Sequence, residues 1–198
     1  MRILFCNIAW MDNYKGIIPG VDEPKNGGSY VSATGNAHEA YDFQPVNIEV
    51  TDNDIPKGIY CLGFVETKST NRSVQNELHI EKIAGCEMLK KEDSAEDVLV
   101  IYCAKYPFAE KNETYVVGWY QHATVYRYYE CATFQLEDGG KEEQYYNAFA
   151  IAENCVCCHE INEESSLCGE CQGSQKGVPM DLGSQMSGLL RIGHKIEH

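Results

Sequence analysis

The segment DVLVIYCAK at residues 97–105 constrains this chain most. It is a continuous apolar run of strand length, and it predicts a strand buried on both faces. Other strand-length runs surround it. Residues 2–10 (RILFCNIAW) read as a first strand rather than a signal peptide, because they carry one basic residue and no small-residue cleavage site. Residues 58–66 (GIYCLGFVE) follow the turn signal Asn53-Asp54-Ile55-Pro56. Residues 115–119 and 124–129 flank Tyr120-Gln121-His122-Ala123, which predicts a pair of strands or one bent strand. Residues 132–136 and 145–152 complete the set, with a turn at Asp138-Gly139-Gly140. Residues 77–83 (ELHIEKI) alternate polar and apolar and predict a further strand. Helical signals are sparse: a short helix capped at 94–97 and an amphipathic tail over 184–196. The Gly-, Pro-, Asn- and Ser-rich stretch 16–35 predicts a loop over one sheet face, a place where function often sits.

These elements predict a mostly β (α+β) fold: a small barrel-like bent sheet with few short helices. The expected division is a recognition domain over 1–154 and a cysteine cluster with tail over 155–198. Sixteen Lys and Arg face thirty Asp and Glu across 198 residues, a net charge of −14. Such a surface repels phosphate backbones and anionic membranes, so a sequence-blind nucleic-acid binder is excluded. No apolar run approaches the roughly 18 residues needed to span a bilayer. With no secretion signal, the expected location is cytoplasmic.

The ten cysteines divide into two groups. Cys6, Cys61, Cys86, Cys103 and Cys131 stand singly, mostly in apolar runs, and are expected to be buried reduced thiols. Cys155, Cys157, Cys158, Cys168 and Cys171 crowd together. Two C-x-x-C hooks nine residues apart, Cys155/Cys158 and Cys168/Cys171, are able to present four thiolates to zinc. Such a site is structural, because four sulfurs leave no open position for water. Cys157 and His159 are spare ligands. Disulfides, a redox pair or free thiols are the alternatives.

Thirteen Tyr and two Trp exceed what a small β core requires. Trp10, Tyr30, Asn36, His38, Phe43, Trp119, Tyr120 and Tyr126 sit at strand ends or in loops. Aromatic faces there stack a planar base while Asn, His or Glu reads its polar edge. Arg127 on an aromatic strand is a candidate phosphate contact or a partner for a carboxylate. His38 beside Glu39 is a candidate acid–base pair, although sequence neighbours rarely face one another. No Walker, dinucleotide-binding, nucleophile-elbow, zinc-protease or kinase pattern is present, which favours binding over catalysis.

The blocks ILFCNIAWM, GGSYV, GNAHEAYDF, DVLVIYCA, VVGWYQHATVYR and AENCV, spread over residues 1–156, resemble a prokaryotic domain found N-terminal to HNH or other restriction-type nucleases. That domain is similar to the PUA, EVE and YTH superfamily, whose members flip a base into an aromatic pocket. The resemblance implies a PUA-like barrel and a modified-base sensor in a restriction or antiphage setting. It implies a nuclease or defence protein as partner, and a pocket drawn from the aromatic and polar residues above.

The expected function is therefore a binding module for a modified nucleobase or nucleotide. It is held by Trp10, Tyr30, Asn36, His38, Phe43, Trp119, Tyr120, Tyr126 and Arg127, with a structural zinc on Cys155, Cys158, Cys168 and Cys171. One alternative is an acidic protein-interaction module or a phage-encoded inhibitor of a defence system. Another is a nucleotide-processing enzyme using His38 and Glu39.

Overall fold

The structure is a computed structural model describing residues 1–48, 55–67, 77–108, 110, 113–135, 141–158 and 178–179. Its centre is a strand of unusual length, β5 (Thr114–Gln135, 22 residues). Around it lie β1 (Arg2–Ile8), β2 (Pro45–Ile48), β3 (Gly58–Gly63), β4 (Ser94–Lys105), β6 (Lys141–Ile151), β7 (Cys155–Cys157) and β8 (Val178–Pro179). The strands form one mostly antiparallel sheet in the order β1-β4-β5-β6-β3-β2, and β7 and β8 also pair with β5. The β1–β4 pair is parallel, Ile3 opposite Leu99 and Ile8 opposite Ala104.

The expected mostly β, bent sheet is present. It is open rather than closed, with β1 and β2 as its two ends among the described residues. Along its length β5 changes partners. Its first half pairs with β7 and β8 on the side away from β4, and its second half pairs there with β6. The boundary expected at residue 154 thus falls inside the sheet, since β7 adds Cys155–Cys157 to it.

Two irregularities bend β5. Register slips between Ala95/Val98 and again between Val98/Val100. Asp97 and His122 occupy these slips in left-handed conformations, at φ 55° and φ 52°. Their side chains join across the strands at 2.7 Å, His122 Nδ1 to Asp97 Oδ1. Bulges of this kind bend a strand and increase its twist. Further along, residues 126–129 of β5 stand opposite Asn147 alone. The buried Asn147 amide accepts from the Val65 N–H (2.9 Å) and donates to the Val65 C=O (3.0 Å), replacing a missing strand neighbour. The freed β5 backbone bonds the 77–93 segment instead, through Arg127 N to Asp93 O and Leu78 N to Arg127 O, both 2.7 Å.

Several local expectations change. Residues 77–83 form a 3-10 helix at Ile80–Lys82, not a strand, because this segment packs over the sheet instead of joining it. Residues 94–97 begin β4 and cap no helix. The 16–35 stretch is only partly loop: it contains α1 (Gly28–Thr34), ended by Gly35 at φ 68°. A second 3-10 helix follows at His38–Tyr41. The stretch before α1 is tied down by Asp22, whose buried carboxylate accepts from the N–H groups of Asp12 and Asn13, each at 2.8 Å. The turn at 138–140 and the tail helix at 184–196 lie outside the described residues. No helix among the described residues is long and apolar enough to cross a membrane.

The main core lies between the sheet and these covering segments. It contains Trp10, Tyr14, Phe43, Tyr102, Tyr120 and Val125. A smaller cluster, Ile55, Tyr60, Leu62 and Tyr146, fills the β6–β3–β2 end. Gly118 is required where β5 passes Phe43, because a Cβ there would overlap the Phe43 ring.

The left-handed bulge residue gives the first test. Replacing His122 with Val places a β-branched residue at φ 52°. The Val variant is expected to be about 1–2 kcal/mol less stable than His122→Gly in urea denaturation. Equal stability of the two variants would mean that the bulge does not hold this backbone conformation.

Candidate functional site

The sequence-predicted site residues fall into three groups. Phe43 and Tyr120 are core residues, 3% and 0% exposed. They meet edge to face at 5.4 Å, and Phe43 also contacts Tyr14 and Tyr102 edge to face. The Tyr120 hydroxyl donates to the backbone carbonyl of Asp42. Trp10 is likewise buried, against Tyr106 at 4.9 Å and Tyr115 at 6.2 Å. Beside it is a cavity of only about 20 Å³, room for about one water and no base. These three side chains leave the ligand set because packing has already used their faces.

Arg127 is a structural residue, 6% exposed. Its Nη1 donates to Glu81 Oε2 at 2.8 Å, its Nη2 to the Leu89 carbonyl at 2.9 Å and its Nε to the Glu92 carbonyl at 3.1 Å. The guanidinium clamps the 81–92 segment onto β5 and offers little to a phosphate. Tyr126 stacks on Phe149 at 5.7 Å over the smaller core cluster. Trp119 is half-buried on the sheet face opposite Tyr120, in register with Ile101 and Val156.

The third group, Tyr30, Asn36 and His38, comes together. All three line an open cleft of about 390 Å³ at the β6–β3–β2 end. Sequence reading missed the rest of its wall. Tyr41 arrives from the second 3-10 helix, Gln44 from the residue before β2, Val46 from β2, Phe134 from β5, and Glu143, Gln144 and Tyr145 from β6. Exposed Tyr145 was legible only as part of an apolar strand, and Glu143 only as a surface acid.

The cleft wall is ordered by a ladder of rings. Tyr30 stacks on His38 at 5.7 Å with an interplanar angle of 13°. His38 leans on Phe64 at 4.8 Å, and Phe64 stacks on Tyr129 at 4.9 Å and 8°. The inner end is pinned where the Tyr129 hydroxyl accepts from the Thr67 N–H at 2.9 Å. Tyr30 remains 48% exposed and Tyr145 45%, so both keep aromatic surface open to solvent. The Glu143 charge pushes the Tyr145 hydroxyl above its ordinary range, with Cys131 adding to it. Gln144 is fixed by donating to the Leu62 carbonyl at 3.2 Å.

The proposed His38–Glu39 acid–base pair is not assembled. Glu39 Oε1 accepts from the Ala9 N–H at 2.9 Å, which ties the 3-10 helix to the end of β1, while His38 faces the ring ladder.

The cysteine set divides in the same way. Cys168, Cys171 and His159 lie outside the described residues. Cys155 is on a strand, not on the tight turn of a C-x-x-C hook, with its thiol toward the carbonyls of Ile151 (3.5 Å) and Ala150 (3.9 Å). Cys158 instead lines the small cavity beside Trp10. Burial pushes the Cys158 thiol up to about 12. No cluster of three metal-ligating side chains occurs among the described residues. Of the single cysteines, Cys6, Cys61, Cys86 and Cys103 are buried as expected, but Cys131 is exposed on the β5–β6 arm.

Two carboxyls, Asp42 and Glu81, titrate in opposite senses. Asp42 is fully buried, with Oδ1 accepting from the Phe64 N–H at 2.8 Å and Oδ2 without a hydrogen-bond partner among the described residues. Burial raises it well above the usual carboxylate range, against the Phe64 bond, which lowers it. Glu81 is held down to about 2, chiefly by the hydrogen bond from Arg127.

The Asp42 contribution is full below the unfolded carboxylate value of about 4, and it is lost as pH rises through the folded value. Between those values wild type should lose up to about 1.4 kcal/mol per pH unit relative to Asp42→Asn. Urea titrations at several pH values above 4 measure this, and parallel curves would refute it. The Glu81 contribution runs the other way, present above about 4.5 and lost as pH falls toward 2. Arg127→Met should lower stability by about 2–4 kcal/mol at neutral pH and remove that acid-side loss. An unchanged acid limb in the variant would break the assignment to this pair. Comparison of the chain with family models, with curated proteins and with solved structures finds no match.

Proposed function

We propose that this protein is a binding module that takes a planar nucleobase or nucleoside in the cleft at the β6–β3–β2 end. One observation carries the reading: aromatic surface open to solvent and hydrogen-bonding side chains converge on a single concavity. Tyr30, Tyr41 and Tyr145 supply exposed rings, and Asn36, Gln44 and Glu143 supply donors and acceptors beside them. Stacking supplies affinity of roughly 1–3 kcal/mol per base without regard to its identity, and the polar groups supply discrimination. A volume of about 390 Å³ lies within the range of small-molecule sites, about 300–1,000 Å³.

Recognition of a modified base, and a restriction or antiphage setting with a nuclease as partner, belong to the same proposal and rest on the sequence resemblance alone. The net charge of −14 favours a free nucleoside or a single extruded base over a long backbone footprint. An enzyme using His38 and Glu39 is not favoured, since the Glu39 carboxylate serves Ala9.

Calorimetric titration of the full chain with a panel of purine and pyrimidine nucleosides tests the reading. Tyr30→Ala and Tyr145→Ala should each weaken binding about tenfold, as loss of one stacking face implies. Trp119→Ala should leave affinity unchanged, because Trp119 lies outside the cleft. Full affinity in the doubly substituted Tyr30/Tyr145 variant would overturn the assignment of the cleft.

A further inference from the structure

We infer that the cleft selects a purine carrying a positive charge on its ring: an N7-alkylated guanine nucleoside, of which 7-methylguanosine is the simplest. This inference rests on the cleft being a base-binding site and names the class of base.

The first observation is the sign of the charge in the cleft. Among the described residues lining it, Glu143 carries the one fixed charge, and no Lys or Arg is present. Arg127, the cation that looked available from sequence, is committed to Glu81 and two carbonyls. A phosphate group entering the cleft meets the Glu143 carboxylate and, among the described lining residues, no Lys or Arg, on a chain of net charge −14. A cationic ring meets the opposite field. The negative faces of exposed tyrosines attract it, as aromatic cages attract quaternary ammonium groups. Glu143 attracts it again.

The second observation is the hydrogen-bonding character of that carboxylate. An ionised carboxylate only accepts, and its two oxygens are able to take two parallel N–H donors. Guanine places the N1–H and an N2–H side by side, whereas adenine and cytosine offer an amino group beside a ring acceptor. Alkylation at N7 leaves that donor edge intact, puts positive charge on the ring and makes N1–H a stronger donor. Asn36 and Gln44 carry both donors and acceptors, so an amide is on hand for the remaining O6 acceptor. Alkylation at N1 of adenine or N3 of cytosine gives a cation without the paired donors, so charge and edge are separable.

The experiment is calorimetry on the full chain, slightly below neutral pH so that the ring keeps its N1 proton and its charge. The probes are 7-methylguanosine, guanosine, 1-methyladenosine and 7-methylguanosine triphosphate. The expected result is that 7-methylguanosine binds at least tenfold tighter than guanosine and than 1-methyladenosine, and that the triphosphate adds no affinity. Glu143→Gln should cut the preference for 7-methylguanosine over guanosine to under threefold, with the far-ultraviolet spectrum unchanged. Equal affinity for guanosine, a tenfold gain from the triphosphate, or an undiminished preference in Glu143→Gln overturns the inference and leaves the base-binding reading in place. Absence of binding by all four compounds overturns that reading as well.

Discussion

Every part of the site depends on β5 staying continuous while it bends. A strand of 22 residues would reach about 70 Å if straight, far beyond the span of a small domain. The chain folds it back on its surroundings with two backbone irregularities. Asp97 and His122 kink the β4–β5 ladder, and the four-against-one mismatch at Asn147 lets β5 leave β6 and rejoin it. The second half of β5 then projects with β6 as an arm that contributes Phe134, Glu143, Gln144 and Tyr145 to the cleft. Without the bend these side chains would not reach the 3-10 helix that carries His38 and Tyr41.

The irregularities leave polar backbone exposed inside the fold, and side chains satisfy it. The Asn147 amide takes both groups of Val65, Arg127 takes the Leu89 and Glu92 carbonyls, and Asp42 takes the Phe64 N–H. These residues surround 64–65 and 77–93, the segments that replace regular strand pairing beside β5. Buried polar groups left unpaired cost about 1–3 kcal/mol each, so such side chains act as substitutes for missing strands. The same work fixes the cleft. Phe64, held by Asp42 on one side and stacked on Tyr129 on the other, forms the inner support of His38 and Tyr30.

The fold was legible wherever burial and periodicity agreed. DVLVIYCAK, RILFCNIAW and GIYCLGFVE became β4, β1 and β3 because each is a strand-length apolar run bounded by turn residues. Periodicity misled at ELHIEKI. Its alternation came from Leu78, Ile80 and Ile83 packing down onto the core beside Glu77, Glu81 and Lys82, a pattern that a 3-10 turn also produces. The bend in β5 was legible only as an ambiguity at Tyr120-Gln121-His122-Ala123. Asp97 and His122 are ordinary residues in sequence and become special only when their positive φ values are known.

The candidate site was legible in part, for a related reason. Aromatic residues in a β protein serve both core and surface, and the choice is made by tertiary contacts that no local pattern carries. Phe43 lies two residues after Tyr41 on the same run, yet one is core and the other lines the cleft, because the 3-10 helix turns the chain between them. Arg127 shows the converse. A cation within an acidic chain attracts functional interpretation, but thirty carboxylates make a structural partner easy to find, and Glu81 and Glu77 lie within 4 Å of its Nη1. With that cation consumed, the cleft has Glu143 as its fixed charge among the described lining residues, and the chemistry it favours follows from the sign of that charge. In the proposed recognition the acidity of the chain acts in two ways: it holds phosphate backbones away, and it leaves one carboxylate among open tyrosine faces.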